Sequence, residues 1–389
     1  MALDTLGDNV YRNIMKANGL VRDFYETLKI GSKSVVSRIF LTGISPMMMN
    51  DLTSDFNIAS NLSLDLFYNE MLGFTHDEVD ALIDASGIDR ALITVDMEHY
   101  YNGYLFHKRA DTRVYNPTMA LYCLSQIQRT KLPPEDIIDV NLRTDYSRLR
   151  RLAENEHNRT LLLDIMKNDT ITDEVAVSFS IDEMHREQYF VSLLFYMGLL
   201  TIDRLNRGRT VLKIPNYSIR TIYWEYIELF TRNLNTAVII DSREESAAIA
   251  TLAYNGDPVP YIDYMSKNIF QRFSNRDLIG FDEKYIKLML LGGFFRSRLY
   301  IPNSEKEVEH GYIDIFLQRS PLVPDVSYEW VWELKYLKKA DATEVQVAAA
   351  LESARAQLAR YRASALFTGR DDVKFATLLF IGKEQYQIV

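Results

Sequence analysis

The chain has 389 residues, of which 47% are hydrophobic and 12% aromatic, and its formal net charge at pH 7 is −9. This length exceeds one ordinary domain, and the composition supplies enough apolar side chains for packed cores, which excludes a disordered chain. The single cysteine, Cys123, excludes an intrachain disulfide and a zinc site of the Cys type.

Histidine spacing, hydropathy and the N-terminal sequence narrow the class of protein further. The six histidines are scattered without the spacing of zinc ligands. No apolar run approaches the ~18–20 residues that cross a bilayer, and the N-terminus has no basic region followed by an apolar stretch. Neither a membrane partner nor a secretion signal is therefore expected, and together with the lone cysteine this predicts a cytoplasmic protein.

The first part of the chain predicts a helix followed by a buried strand. Residues 9–30 have a helical period, and an apolar run of β type follows at residues 35–43. A helix next to such a strand is typical of an α/β unit. Thr75 and Glu78 have the spacing of a capping box, which predicts that a helix begins there. The aromatic-rich segment 99–118 is interpreted either as tyrosines packed under a long loop or as a platform that stacks on a ligand.

The middle of the chain predicts a helix followed by a β-hairpin. The helix covers roughly residues 181–197, and two strands flank a turn at residues 206–209. This order is typical of a winged-helix module, whose wing would present Arg204, Arg207 and Arg209 to phosphates. A solvated hairpin tip and a module for domain packing are the alternatives.

The last third of the chain predicts an α/β core with mixed strands. The pattern relaxes around residues 255–275, and the last domain boundary is placed near residues 265–278. The predicted elements that follow are a helix at 282–291, strands at 298–302, 311–318 and 329–336, a helix at 343–363 and a strand at 374–381. Residues 266–389 carry a formal charge of +2 and residues 1–265 carry −11. The part with this core is thus the less acidic one, which permits nucleic-acid binding.

Two of these strands carry charged side chains in a pattern that suits phosphodiester chemistry. Side chains in a strand alternate between faces, so Glu333 and Lys335 point the same way. Trp330 and Trp332 fill the other face. Burying the two charges unpaired would cost several kcal/mol, so they need a metal, a counter-charge or a solvent-filled cleft. Asp314 lies on the neighbouring strand.

A bound divalent metal is the first of these three ways to compensate the buried charges. Asp314 and Glu333 come from neighbouring strands, so their carboxylates can converge on one hard cation such as Mg²⁺. The metal would lower the pKa of a bound water, and Lys335 would steady that water or the scissile phosphate. Gln357 and Tyr361 are spaced i and i+4 on the following helix and can reach over the strands toward substrate. The alternative is a structural ion pair between Glu333 and Lys335 at the surface.

Residues 311–361 resemble the PD-(D/E)XK nuclease superfamily, in the branch whose catalytic strands are followed by a Gln-x-x-x-Tyr helix. The resemblance implies a role for each matching residue: metal binding for Asp314 and Glu333, catalysis for Lys335, and accessory positions for Gln357 and Tyr361. It also implies that Glu283, on the first helix, is a third metal ligand and that Glu307 belongs to a recurrent acidic stretch. Ile313 stands where the family name has a proline, and that proline is commonly absent.

The upstream part is similar to bacterial proteins in which an AAA-ATPase-like domain is joined to this nuclease domain. The matching stretches are residues 38–45, 72–79, 101–106, 115–117, 195–202 and 214–216. Members of that family begin with a P-loop and an acidic Walker-B-type strand, and both are missing here. The chain is therefore expected to have no ATP site and not to hydrolyse ATP by itself.

Together these features predict an α/β multidomain protein with three parts. They are a truncated, C-terminal remnant of an AAA-ATPase-like domain at 1–115, a helical and winged-helix-like region at 116–265, and a restriction-endonuclease-like PD-(D/E)XK domain at 266–389. The predicted function is a Mg²⁺- or Mn²⁺-dependent nuclease that acts on DNA rather than RNA, in mobile-element control or defence. One alternative is a catalytically silent module that binds nucleic acid or a protein. Another is a regulatory fragment that needs a separate ATPase partner, and a homo-oligomer is also left open.

Overall fold

The chain divides into two compact units, Met1–Tyr223 and Trp224–Val389. The computed structural model describes residues 20–43, 60–139, 142, 156–177, 187–234, 241–272, 282–309 and 311–389. Parts of two predicted helices, at 9–30 and 181–197, lie outside the described residues. Within the described ranges, none of the helices is long and apolar enough to cross a membrane.

The first unit is mainly helical. Its helices are α1 (Leu20–Gly31), α2 (His76–Ser86), α3 (Met97–Tyr101), α4 (Pro117–Thr130), α5 (Glu156–Asn168) and α6 (Glu187–Tyr196). The predicted capping box begins α2. The Thr75 hydroxyl accepts from the backbone N–H of Glu78, and the Glu78 carboxylate accepts from the backbone N–H of Thr75. The helix ends at Gly87, whose φ of +65° suits a glycine.

The predicted strand at residues 35–43 is wrong. These residues belong to no helix or strand, and Val35 and Phe40 are 83% and 64% exposed. A strand is stabilised by hydrogen bonds to a neighbour and by burial of alternate side chains. No strand in the described ranges pairs with this segment. Its β-branched, apolar composition therefore does not produce the predicted α/β unit by itself.

The tyrosines of the aromatic-rich segment 99–118 are packed. Tyr100, Tyr101, Tyr104 and Tyr115 are each 4% exposed or less. Tyr104 and Tyr115 also form isolated β-bridges to residues on neighbouring segments. These burials favour the interpretation of packing under a loop over that of a ligand platform.

A three-stranded antiparallel sheet forms from one strand between α5 and α6 and a hairpin after α6. Its strands are β1 (Thr170–Thr172), β2 (Thr201–Asn206) and β3 (Arg209–Lys213), in the order β1-β3-β2. Arg207 and Gly208 form the predicted turn, with φ angles of +49° and +82°. Positive φ at both central residues matches the right-handed twist of the flanking strands. The predicted order of a helix and then a hairpin is present, and the winged-helix assignment stays a prediction.

The second unit contains a five-stranded mixed sheet flanked by helices. The elements that follow the first sheet are α7 (Tyr217–Leu234), α8 (Ser242–Ala250), α9 (Val259–Asn268), α10 (Glu283–Ser297), β4 (Tyr300–Val308), β5 (Gly311–Arg319), β6 (Glu329–Leu337), α11 (Glu344–Arg362), β7 (Val373–Ile381) and β8 (Gln385–Ile388). The strand order is β4-β5-β6-β7-β8. Only the β6–β7 pair is parallel, because α11 makes the crossover between those strands. The predicted elements of this region are present, and β8 is an addition that the sequence pattern did not predict.

The two faces of β6 pack against different partners, as the alternation of its side chains predicts. On one face the Trp332 ring lies 5.6 Å from the Phe294 ring of α10 and 6.4 Å from the Tyr261 ring of α9. On the other face Val331 belongs to a buried cluster with Tyr361 of α11. The face with Val331 is also the one with Glu333 and Lys335, so α11 covers the charged face of the strand.

Candidate active site

The backbone pairing between β5 and β6 stops just before it reaches Asp314. The paired residues are Leu317–Trp330, Phe316–Val331 and Ile315–Trp332. The carboxylate of Asp314 follows directly, and its Oδ2 accepts a hydrogen bond from the backbone N–H of Leu334 at 2.9 Å. A side-chain oxygen thus takes the place of the backbone acceptor that a continued ladder would supply. This contact fixes Asp314 beside the segment that contains Glu333.

Glu333 has a buried carboxylate with one unsatisfied oxygen. The residue is 1% exposed, and its Oε1 accepts from the Nζ of Lys335 at 2.6 Å. Its Oε2 is buried and has no hydrogen-bond partner in the part of the chain that the structure describes. An unsatisfied buried charged group costs more than a neutral one, so such an atom requires an explanation.

Glu329, on the same strand, shows what a structural carboxylate looks like in this fold. It is 5% exposed, and its Oε1 accepts from the backbone N–H of Arg319 at 2.8 Å. Its Oε2 accepts from the Arg370 guanidinium, also at 2.8 Å. Both oxygens of Glu329 are satisfied by protein groups, whereas only one oxygen of Glu333 is. The second oxygen of Glu333 is therefore available to accept from a group outside the chain.

Burial and mutual repulsion make the two carboxylates hold protons more tightly than usual. Burial and the nearby charge of Asp314 raise the pKa of Glu333 from its ordinary value of 4.5 to about 7. Burial also raises the pKa of Asp314, against the hydrogen bond from Leu334. For Lys335, burial opposes the charged form, but the hydrogen bond and charge of Glu333 outweigh it and raise the pKa. The carboxylates of Asp314 and Glu333 and the ammonium of Lys335 therefore lie together in one partly dehydrated site.

Glu283, at the start of α10, lies next to this group. Burial and then the charge of Asp314 raise the pKa of Glu283, while the charge of Lys335 and a hydrogen bond with the Tyr336 backbone oppose the rise. The structure therefore brings Glu283 near Asp314 and Lys335. No group of three or more His, Cys, Asp or Glu side chains in the described ranges is arranged to hold one metal ion. Glu283 is thus a neighbour of the two strand carboxylates and not part of a preformed three-ligand cage.

The two predicted residues of α11 differ in their surroundings. The Tyr361 hydroxyl donates to the backbone oxygen of Tyr312 at 2.6 Å, which ties α11 to β5. Burial, followed by the charges of Glu333 and Asp314, raises the pKa of Tyr361 to about 12. Gln357 lies one turn earlier on the same face and is half-buried. Tyr361 therefore lies by the carboxylates, and Gln357 lies along the same side of the helix.

Two charged residues that sequence reasoning did not assign lie in the same place. Lys287 of α10 forms an ion pair with Glu305 of β4. The Lys287 charge also opposes the rise in the pKa of Asp314 that burial causes. The spacing of four residues from Glu283 was a signal that placed Lys287 on the same helix face. Glu307, which the resemblance favoured in this stretch, is exposed and pairs with Tyr312 along the strand.

The residues present fit a divalent metal ion. Carboxylate oxygens are the ligands that Mg²⁺ and Mn²⁺ prefer, and Mg²⁺ is usually bound by one or two carboxylates together with water and phosphate. The unsatisfied Oε2 of Glu333 is an acceptor without a donor among the described residues. When all are ionised, the group of four carboxylates and two ammonium groups has a formal charge of −2, which one divalent cation neutralises; its members are Glu283, Glu305, Asp314, Glu333, Lys287 and Lys335.

Comparison with known proteins agrees with this geometry. A protein described as "Uncharacterized protein in vnfD 5'region", from Azotobacter chroococcum mcd 1, is 24% identical to this chain over 240 residues. The aligned part is 59% of this chain, and the chain spans 39% of that relative's length. No solved structure matches the chain. Residues 281–388 match the family model of the PD-(D/E)XK nuclease superfamily. The match includes α10, the central strands and α11, so this part of the chain is a domain of the PD-(D/E)XK nuclease superfamily.

Proposed function

We propose that the chain is a metal-dependent nuclease that hydrolyses phosphodiester bonds of DNA in its C-terminal domain. The observation that carries the proposal is the buried Glu333, whose free Oε2 lies in a group with Asp314 and Lys335. The superfamily to which residues 281–388 belong supports hydrolysis of a phosphodiester. A structural ion pair would not need an unsatisfied buried oxygen, and Glu329 in the same strand has none.

Asp314 and Glu333 are proposed to hold Mg²⁺ or Mn²⁺, with Glu283 as a third ligand. Such an ion supplies charge stabilisation and a more acidic bound water. The chain itself fixes the position of both strand carboxylates. The Leu334 backbone N–H orients Asp314, and the Lys335 ammonium orients Glu333.

Lys335 is proposed to bind the scissile phosphate or the attacking water. Its side chain is 22% exposed, so the ammonium is reachable while Glu333 anchors it. A lysine placed in this way contributes a point charge where negative charge develops on the phosphate, and a low-dielectric site strengthens that effect.

The two α11 residues are proposed to be accessory. Tyr361 keeps β5 against α11 through its hydrogen bond to Tyr312 and so supports the strand that contains Asp314. Gln357 lies half-buried on the same face, one turn away, where its amide can extend to a substrate strand. Neither residue is needed to hold the ion in this proposal.

The upstream regions are proposed to position substrate or regulate access. The element order α5-β1-α6-β2-β3, with the strands arranged β1-β3-β2 in one sheet, supports a winged-helix-like unit within residues 116–265. Residues 1–115 are proposed to be the C-terminal part of an AAA-ATPase-like domain, on resemblance alone. A role in mobile-element control or defence is a proposal by analogy with that family.

Cleavage assays test the proposed function directly. Supercoiled plasmid, single-stranded DNA and an RNA of the same sequence are incubated with the protein in Mg²⁺, in Mn²⁺ and in EDTA. Glu333→Ala is expected to abolish cleavage, and Lys335→Ala to reduce the rate by about 10²–10³-fold, the usual effect of removing one group that stabilises transition-state charge.

A second ion pair of the same kind supplies matched controls. Lys339 donates to Glu384 at 2.8 Å, and both side chains are more than half exposed. Glu384→Ala and Lys339→Ala are therefore expected to cleave at the wild-type rate. Equal rates for the wild type and both site variants would refute the proposed site. Faster cleavage of RNA than of DNA would correct the substrate.

A catalytically silent nucleic-acid-binding module is the second candidate. The finding that favours it is that no three-ligand group is preformed among the described residues. In that case the protein would bind DNA without turnover in either metal, and its affinity would fall steeply as salt rises. Metal-dependent product that disappears in Glu333→Ala decides against this candidate.

A further inference from the structure

A buried lysine beside the site has no part in the mechanism proposed above. Lys287 lies on α10, one helical turn after Glu283, and its side chain is only 9% exposed. Its ammonium is ion-paired with Glu305, whose side chain is 48% exposed. Lysines are rarely this buried unless they are paired. Lys287 is therefore a buried cation whose partner is a half-exposed carboxylate.

Glu305 is held in an unusual backbone conformation. Its φ is +53°, within β4. The residue lies between the paired positions Ser304–Ile315 and Lys306–Ile313 but is absent from the ladder, directly opposite Asp314. A residue other than glycine is strained in this region, and such strain persists where the surroundings hold it. The ion pair with Lys287 is one contact that holds Glu305 there.

The position of this pair suits a phosphate group. Lys287 is close enough to Asp314 for its charge to act on that carboxylate, where the ion is proposed to bind. A phosphate oxygen and a carboxylate oxygen make the same kind of charge-assisted hydrogen bond to an ammonium. A phosphate next to Asp314 would therefore compete with Glu305 for the same donor. Release of Glu305 would also let its backbone leave the left-handed region.

We propose that Glu305 is a displaceable substitute for substrate: its carboxylate occupies the Lys287 ammonium until a phosphate of the nucleic-acid strand replaces it. Lys287 is then a substrate-binding residue, and Glu305 is the group that competes with substrate. This inference rests on the proposed nuclease function, since the competing anion is a phosphate of the strand to be cut.

The test measures DNA affinity in variants with opposite expected effects. A Glu333→Gln background in Mg²⁺ buffer keeps the DNA intact, and a fluorescein-labelled duplex reports binding by anisotropy. Glu305→Gln is expected to bind about tenfold more tightly, because a charged competitor is removed from Lys287. Lys287→Met is expected to bind about tenfold more weakly. Its log–log salt slope should also be shallower by about 0.9, as for the loss of one phosphate contact.

The double variant separates competition from independent effects. If Glu305 acts only through Lys287, then Glu305→Gln with Lys287→Met binds like Lys287→Met alone. The matched exposed pair, Glu384→Gln and Lys339→Met, is expected to leave the affinity unchanged. Thermal unfolding checks that each variant is folded. If Lys287→Met does not fold, the affinity of Glu305→Gln still tests the inference. The Glu305 side chain is half exposed, so it can be neutralised at little cost to packing.

Failure of this inference is distinguishable from failure of the proposed function. Unchanged or weaker binding by Glu305→Gln overturns the inference. The proposed function would still hold in that case if the wild type shows metal-dependent cleavage that Glu333→Ala loses. Absence of DNA and RNA binding by the folded Glu333→Gln protein, together with no cleavage by the wild type, refutes both.

Discussion

Neutralising Glu333 is expected to stabilise the folded protein while it abolishes cleavage. The carboxylate is 1% exposed and has one unsatisfied oxygen, so in the absence of metal its charge is held at a cost. Glu333→Gln retains the shape of the side chain and an acceptor for Lys335, but it removes that charge. A structural ion pair predicts the opposite sign, because breaking it would destabilise the protein.

The size and pH range of the effect follow from the pKa of Glu333. Folding raises that pKa from its ordinary value of 4.5 to about 7. The folded state thus binds the proton more tightly than the unfolded state, so the contribution to stability is fully present below pH 4.5 and is lost as the pH rises through 7. At about 1.4 kcal/mol for each pH unit, the loss is about 3 kcal/mol. Glu333→Gln should therefore match the wild type near pH 4.5 and exceed its free energy of unfolding by up to about 3 kcal/mol at pH 8.

Tryptophan fluorescence is a suitable probe of this difference. All three tryptophans of the chain, Trp224, Trp330 and Trp332, lie in the second compact unit. Urea unfolding in EDTA, followed by this fluorescence from pH 4.5 to pH 8, reports the free energy of unfolding of the unit that contains Glu333. Restoring Mg²⁺ should stabilise the wild type more than Glu333→Gln, because only the wild type retains both of the carboxylates that are proposed as ligands.

Glu329→Gln is the matched control for a buried carboxylate on the same strand. Its oxygens accept from Arg319 and Arg370, so neutralising it weakens two hydrogen bonds without relieving an unsatisfied charge. A loss of about 1–3 kcal/mol is expected at pH 8. The reasoning about Glu333 is refuted if Glu333→Gln is also less stable than the wild type at pH 8, or if the difference between them does not change with pH.

Three further predictions use other features of the chain. Addition of Mn²⁺ near pH 7 is expected to release protons, since a Glu333 with a pKa of about 7 is half protonated there. An indicator dye measures the proton release. Equal release at pH 7 and pH 9 would contradict this prediction. Tyr361→Phe removes the hydrogen bond to the Tyr312 carbonyl and should cost about 1 kcal/mol in urea unfolding, and an unchanged midpoint would contradict the role of that bond. In the first unit, Gly103→Ala should cost several kcal/mol, because its φ is +112° and a Cβ would lie 2.1 Å from a backbone oxygen. Gly208→Ala, with φ of +82° and open space around it, should cost only about 1 kcal/mol, and circular dichroism melts that show equal losses would refute this distinction.

Local rules determined much of the C-terminal domain. A strand alternates its side chains by geometry alone, so the sequence places Glu333 and Lys335 on one face and Trp332 on the other without knowledge of the fold. Capping is equally local, which is why Thr75 and Glu78 mark the start of α2 correctly. The same rules failed at residues 35–43, because a strand also needs a partner and apolar composition does not supply one.

Only the tertiary structure decided which charges meet. Glu283 and Lys287 lie on a helix and Glu305 on a strand before Asp314, and no spacing in the sequence states that they approach it. The left-handed backbone of Glu305 and the unsatisfied oxygen of Glu333 are also products of packing. The reason is physical: periodicity fixes the direction of a side chain relative to its own element, whereas burial, distance and mutual charge depend on how separate elements pack together.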